Sequence, residues 1–118
     1  MVILVCGGRN YDNGQYVNHV LDVLKPTRIV HGGCRGADTL ASNWAQDHFS
    51  VIEKVYPADW SRGPKAGPER NRFMLRTERP DLVIAFPGGK GTQNMKRLAL
   101  NHGYVVLHAN ELHELQSP

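Results

Sequence analysis

The chain has 118 residues, 41% of them hydrophobic and 21% charged, values that suit one globular domain and exclude disordered and collagen-like chains. No apolar run approaches the roughly 20 residues of a membrane span, and Met1–Cys6 runs into Gly7-Gly8-Arg9 rather than a leader-like pattern, so a cytoplasmic protein with no membrane partner is expected. Fourteen Lys and Arg against eleven Asp and Glu give a net charge of +3, which favours an anionic ligand without establishing nucleic acid.

Val2-Ile3-Leu4-Val5-Cys6 is β-prone and ends at Gly7-Gly8, predicting a buried strand that enters a loop. Val17, Val20, Leu21 and Leu24 then form a helical stripe stopped by Pro26. Arg28–His31 before Gly32-Gly33 repeats the strand-to-glycine pattern, and Ala37, Leu40, Ala41, Trp44 and Ala45 form a second stripe. Residues 50–56 predict a third strand, followed by a long turn-rich, basic segment over residues 57–68, the best candidate for a loop covering a ligand. A helix over residues 68–79 is expected to bury Phe73, Met74 and Thr77. A strand over residues 81–86, a turn over residues 87–92 and a helix over residues 93–102 come next. A last strand over residues 104–107 and a short terminal helix over residues 110–115 complete the pattern.

Five strands alternating with helices predict an α/β fold: a single Rossmann-like three-layer domain over residues 1–118, with a mostly parallel five-stranded sheet. Ligands of such sheets collect beyond the carboxyl ends of the strands. Three glycine-rich segments fall at that edge.

Pro87-Gly88-Gly89-Lys90-Gly91-Thr92 can present backbone N–H groups and a helix N-terminus to phosphate, or simply make a tight turn. It is not a Walker A loop. Gly7 and Gly8 permit close approach, and Arg9 is a candidate for pairing with phosphate. The segment at residues 31–39 adds His31, Gly32, Gly33, Arg35, Gly36 and Asp38 as candidate contacts. Asp38 can accept from ribose hydroxyls or cap local backbone donors, and His31 can donate to a ligand or be a satisfied histidine at the sheet edge. In the helix after the long loop, Arg70 is a candidate for phosphate and Asn71 for base or ribose. Trp60 can stack on a base or anchor its loop, whereas Trp44 belongs to the core. Glu69 and Asp38 are the candidate catalytic carboxylates. Cys6 and Cys34 support neither a disulfide framework nor a thiolate zinc site; no metal and no cofactor are expected.

Taken in order, Gly7-Gly8-Arg9, residues 31–38, Pro57-Ala58-Asp59-Trp60, Ala66-Gly67-Pro68-Glu69-Arg70-Asn71 and residues 85–92 closely resemble the YspA-like branch of the SLOG superfamily. The resemblance implies a Rossmann-like fold and a pocket for nucleotides or ADP-ribose-like ligands. DprA-like members of the superfamily bind single-stranded DNA, LOG-like members are phosphoribohydrolases, and other members are thought to sense nucleotide signals. In the LOG-like pattern PGGxGT is followed by two variable residues and then a catalytic glutamate. Here Met95 stands at that position, and methionine moves no proton.

The expected function is therefore binding or sensing of a small phosphorylated nucleoside or ADP-ribose derivative. Hydrolysis of a nucleotide N-glycosidic bond is the first alternative, and single-stranded nucleic-acid binding the second. The resemblance also implies a homo-oligomer, with a dimer as the simplest case.

Overall fold

The computed structural model describes residues 1–110. Five strands, β1 (Val2–Cys6), β2 (Arg28–His31), β3 (Ile52–Val55), β4 (Leu82–Ala85) and β5 (Val106–His108), form one sheet in the order β3-β2-β1-β4-β5. Every pairing is parallel; Ile3 lies opposite both Ile29 and Leu82. Four helices connect them: α1 (Gly14–Leu24), α2 (Ala37–Gln46), α3 (Ala66–Glu78) and α4 (Lys90–Asn101). The described residues form the expected three-layer α/β fold.

Central strands covered on both faces must be apolar at every position, because successive side chains point to opposite layers. Ile3, Val5, Ile29, Ile84 and Phe86 face the layer of α1 and α2, where they bury Val17, Leu21, Ala41 and Trp44. Leu4, Val30 and Val83 face the other way, onto Met74 and Leu75 of α3 and Met95 and Ala99 of α4. Trp44 is a core residue as expected, its indole N–H donating to Asp22 Oδ1 at 2.8 Å.

Several boundaries differ from expectation. Helix α3 starts two residues before Pro68, which its first turn tolerates, and a 3-10 turn at Trp60–Arg62 shortens the irregular segment. The buried face of α3 carries Asn71, Met74 and Leu75, while Phe73 is 51% exposed and Thr77 is also at the surface. Phe73 instead lies edge-on to Tyr56. Helix α4 begins at Lys90, so the second half of the expected turn is already helical. Strand β5 runs to His108 rather than ending at Leu107. The expected terminal helix falls, from residue 111 onward, outside the described residues. No described helix is long and apolar enough to cross a membrane.

Candidate nucleotide-binding cleft

The strand order reverses between β1 and β4, so the chain leaves β1 for one helical layer and β4 for the other. The two departing loops touch. Gly8 N–H donates to Pro87 O at 2.9 Å, and a Cβ on Gly8 would lie 3.0 Å from Gly88 Cα. Only glycine lets these backbones approach so closely. Beyond them opens a cleft of about 890 Å³, bounded by the first turns of α2, α3 and α4, at the switch point where parallel α/β sheets hold ligands.

The expected phosphate segment forms one wall, with all six residues from Pro87 to Thr92 lining the cleft. Because α4 starts at Lys90, the N–H groups of Gly89, Lys90, Gly91 and Thr92 are the unpaired donors of a helix N-terminus. None has an acceptor among the described residues. A Cβ at Gly89 or Gly91 would meet nothing within 4 Å, and neither residue has a positive φ. Neither a close neighbour nor a positive φ accounts for glycine at these two positions.

The amides of two other candidate contacts, Gly8 and Gly33, are committed to the protein. Besides Gly8 N–H, Gly33 N–H donates to His31 Nδ1 at 3.0 Å. His31 is buried, and its Nε2 lies 2.6 Å from Glu53 Oε2. Since Nδ1 accepts, Nε2 carries the proton and donates to Glu53. His31 is thus a satisfied histidine that fixes the loop rather than a wall residue. Gly36 has φ +85 and packs against the Gly8 carbonyl, which leaves no space for a side chain. Arg35 is exposed and reaches Asn10 Oδ1 at 3.5 Å. Gly33, Arg35 and Gly36 shape the loop without lining the cleft.

Asp38 lies on the cleft wall, 6% exposed. Its Oδ2 accepts from both Gly32 N–H and Cys34 N–H at 3.2 Å. Burial pushes its carboxyl above the ordinary range, against the opposing effects of His31, Arg70 and the two backbone donors. It is the only carboxylate on the wall among the described residues, beside Arg9, Arg70 and Lys90.

Arg70 and Asn71 occupy the α3 side of the cleft. Arg70 is braced by Nη1 on Gly32 O and Tyr56 O, both at 3.0 Å, and by Nε on Asn71 Oδ1 at 2.9 Å. Nη2 has no hydrogen-bond partner among the described residues. Asn71 is buried and donates to Asn94 Oδ1 at 2.9 Å and to Gly91 O at 3.4 Å, tying α3 to the first turns of α4. Glu69 points elsewhere. It pairs with Arg62 at 3.1 Å and lines a separate hollow beside Tyr56 and Phe73. Trp60, half exposed, lies on the cleft wall with Arg9 over its ring.

The wall also holds residues that sequence reasoning does not select as contacts, among them Cys6, Asn94 and Met95. Cys6 ends β1, so its place beside Gly7 is a usable signal. Burial, reinforced by the Asp38 charge, pushes its thiol up to about 12 against an opposing effect of Lys96, leaving it protonated at neutral pH. Met95 is 1% exposed and packs with Leu4, Val30 and Met74. The place of the LOG-type glutamate is taken by a core side chain.

A model of the YspA, cpYpsA-related SLOG family matches residues 1–63. The chain is also 42% identical to the Gene 61 protein of Mycobacterium phage D29 over 86 residues, covering 67% of this chain and 68% of that protein. The family match spans the glycine loops after β1 and β2, Asp38 and Trp60, and with the fold and the relative it shows that this chain belongs to the YspA, cpYpsA-related SLOG family, whose membership points to a nucleotide-related function.

Proposed function

We propose that the cleft binds a small phosphorylated nucleoside or an ADP-ribose-like derivative, with a phosphate seated on the N-terminus of α4. One observation carries this reading: four N–H groups without acceptors among the described residues stand beside two glycines whose missing side chains leave open space. An uncapped helix N-terminus is an anion site through its donors and its dipole, and the open space admits phosphate oxygens to hydrogen-bonding distance. Lys90 and Arg70 Nη2 add positive charge on the same wall. Asp38 repels phosphate and accepts hydroxyl donors, which orients the sugar toward α2. The cleft volume, about 890 Å³, lies within the range of small-molecule sites.

The role is sensing or sequestering rather than hydrolysis. Cleavage of an N-glycosidic bond needs a positioned proton-transfer group. Met95 cannot serve, Glu69 lies outside the cleft, and the Asp38 carboxylate already holds two amides of its own loop.

Gly89→Asp tests the reading. At about 4 Å from a phosphate, the new carboxylate costs roughly 1 kcal/mol in water and about 4 kcal/mol at a protein surface. AMP and ADP-ribose should therefore bind between about fivefold and a thousandfold more weakly by calorimetry, with the circular dichroism of the empty protein unchanged. Unchanged affinity in a folded variant refutes the phosphate seat. Mass spectrometry of the incubated ligands should recover them intact; released base with a sugar phosphate refutes the non-hydrolytic role.

A further inference from the structure

Trp60 is half exposed, yet it is held in place. Asp59 caps the turn beneath it, accepting from Ser61 N–H at 3.2 Å. The indole edge rests on α3 at Gly67, where a Cβ would lie 3.0 Å from the ring. Gly67 is a buried residue in the first turn of a helix, a position where glycine costs stability, and its bare backbone is what lets the indole seat. The Arg9 guanidinium lies 5.3 Å from the ring centroid. Arg9 is exposed and has no ion-pair partner among the described residues. A cation from the loop after β1 thus covers an aromatic ring from the loop after β3, and both line the cleft.

We infer that the Trp60 indole is the nucleobase subsite of the cleft and that Arg9 occupies it while the cleft is empty. An incoming base displaces the guanidinium from the ring and stacks in its place. The freed guanidinium turns to the ligand phosphate. The exchange is downhill because base stacking on an aromatic side chain outweighs an exposed cation–π contact, and because Arg9 gains a charge-assisted bond. Arg9 and Trp60 together then select a ligand that has both a base and a phosphate. The inference rests on the reading that the cleft takes a phosphorylated nucleoside.

Calorimetry on the full chain with AMP, ribose 5-phosphate and adenosine separates the two ideas. Wild-type protein should bind AMP more tightly than ribose 5-phosphate. Trp60→Ala should weaken AMP about fivefold to a hundredfold while leaving ribose 5-phosphate within about twofold, and Trp60→Phe should recover most of the loss. AMP should quench tryptophan emission in the unmodified protein, where buried Trp44 supplies a constant background. Arg9→Ala should weaken AMP yet tighten adenosine, which otherwise displaces the guanidinium without a phosphate to receive it. Equal losses for AMP and ribose 5-phosphate in Trp60→Ala, or no quenching by AMP, overturn the base subsite while the phosphate seat stands. Weaker or unchanged adenosine binding in Arg9→Ala overturns the exchange. If neither AMP nor ribose 5-phosphate binds the wild-type protein, the phosphate reading falls and the subsite with it.

Discussion

Gly91→Ala should make the empty protein more stable and the loaded protein less stable. Gly91 is the second residue of α4, exposed, with no positive φ and nothing within 4 Å of an added Cβ. Glycine in a helix costs about 0.5–1 kcal/mol relative to alanine, and a first-turn position lies near the lower figure. About 0.5 kcal/mol raises Tm by roughly 2 °C in a domain of this size. The bond from Asn71 to the Gly91 carbonyl involves only backbone at residue 91 and survives the change. In the loaded state the added methyl stands among donors that a phosphate must approach to about 2.9 Å, so affinity should fall about tenfold, or 1.4 kcal/mol. Thermal melts without ligand and with AMP at about one hundred times the wild-type Kd check both halves. Wild-type protein gains about 2.7 kcal/mol from that ligand concentration, and the variant should gain about half as much. A variant that melts lower when empty shows that the glycine has a packing role. An equal ligand-induced rise shows that nothing seats at this helix end.

Two further predictions concern carboxylates. Asp38→Asn keeps an oxygen for Gly32 N–H and Cys34 N–H and removes a charge that burial disfavours. Because the folded pKa is raised, the Asp38 contribution to stability is full below the unfolded value and is lost as pH rises through the folded one. The Asp38→Asn variant should therefore unfold in urea at or above the wild-type midpoint at pH 7, with that advantage shrinking on acidification. Asp38→Ala leaves both amides without an acceptor and should lose about 2 kcal/mol or more. Glu78 behaves in the opposite sense: hydrogen bonds from Arg28 at 2.8 and 3.0 Å, opposed by burial and assisted by Tyr56, hold its carboxyl below the usual range. Its contribution is present above the unfolded value near 4.5 and is lost as pH falls through the lower folded one. Urea midpoints measured from pH 7 to pH 3 should fall steeply for wild-type protein and less so for Glu78→Gln, which starts about 1–3 kcal/mol lower.

The strands are legible because strands covered on both faces must be apolar throughout, and Val2–Cys6 and residues 82–86 can do little else. The α3 stripe is easily misread because Phe73, Met74 and Leu75 are consecutive apolar residues, of which only Met74 and Leu75 face the sheet. Asn71, polar but buried through its bonds to α4, hides the true face. The start of α4 escapes sequence reading for a related reason. Gly-Gly-Lys-Gly-Thr reads as a turn by composition, yet tertiary packing of Met95 and Ala99 extends the helix into it. Glycine spacing locates the cleft, since strands β1, β2 and β4 all end at its rim. It does not separate glycines needed for packing from glycines facing open space. That distinction depends on what the other loops place opposite each residue: Gly8 meets Gly88, Gly36 meets the Gly8 carbonyl, and Gly89 meets nothing. Glu69 and Arg70 show the same limit. They are neighbours in sequence, but helical rotation sends one to the ion pair with Arg62 and the other into the cleft.

The helix ends show where the fold leaves backbone donors unpaired. Helix α1 starts away from the cleft and is capped in the ordinary way, with Asn13 Oδ1 accepting from Tyr16 N–H at 3.0 Å. Asp59 likewise caps the 3-10 turn. Helices α2, α3 and α4 begin at the cleft behind Gly36, Lys65 and Gly89, and none has a side-chain cap. A Ser, Asp or Asn at such a position typically adds about 1 kcal/mol. At α2 the Gly8 carbonyl accepts the Ala37 N–H at 3.2 Å, and at α3 the Gly63 carbonyl accepts the Ala66 N–H at 3.1 Å, so loop backbone supplies part of what a cap would. At α4 nothing does. A serine or aspartate at residue 89 would place its oxygen on the donors that the proposed phosphate needs, so a capped α4 and an anion seat exclude each other. On the proposed reading, the uncapped end is stability given up for the site, and a bound phosphate would restore it.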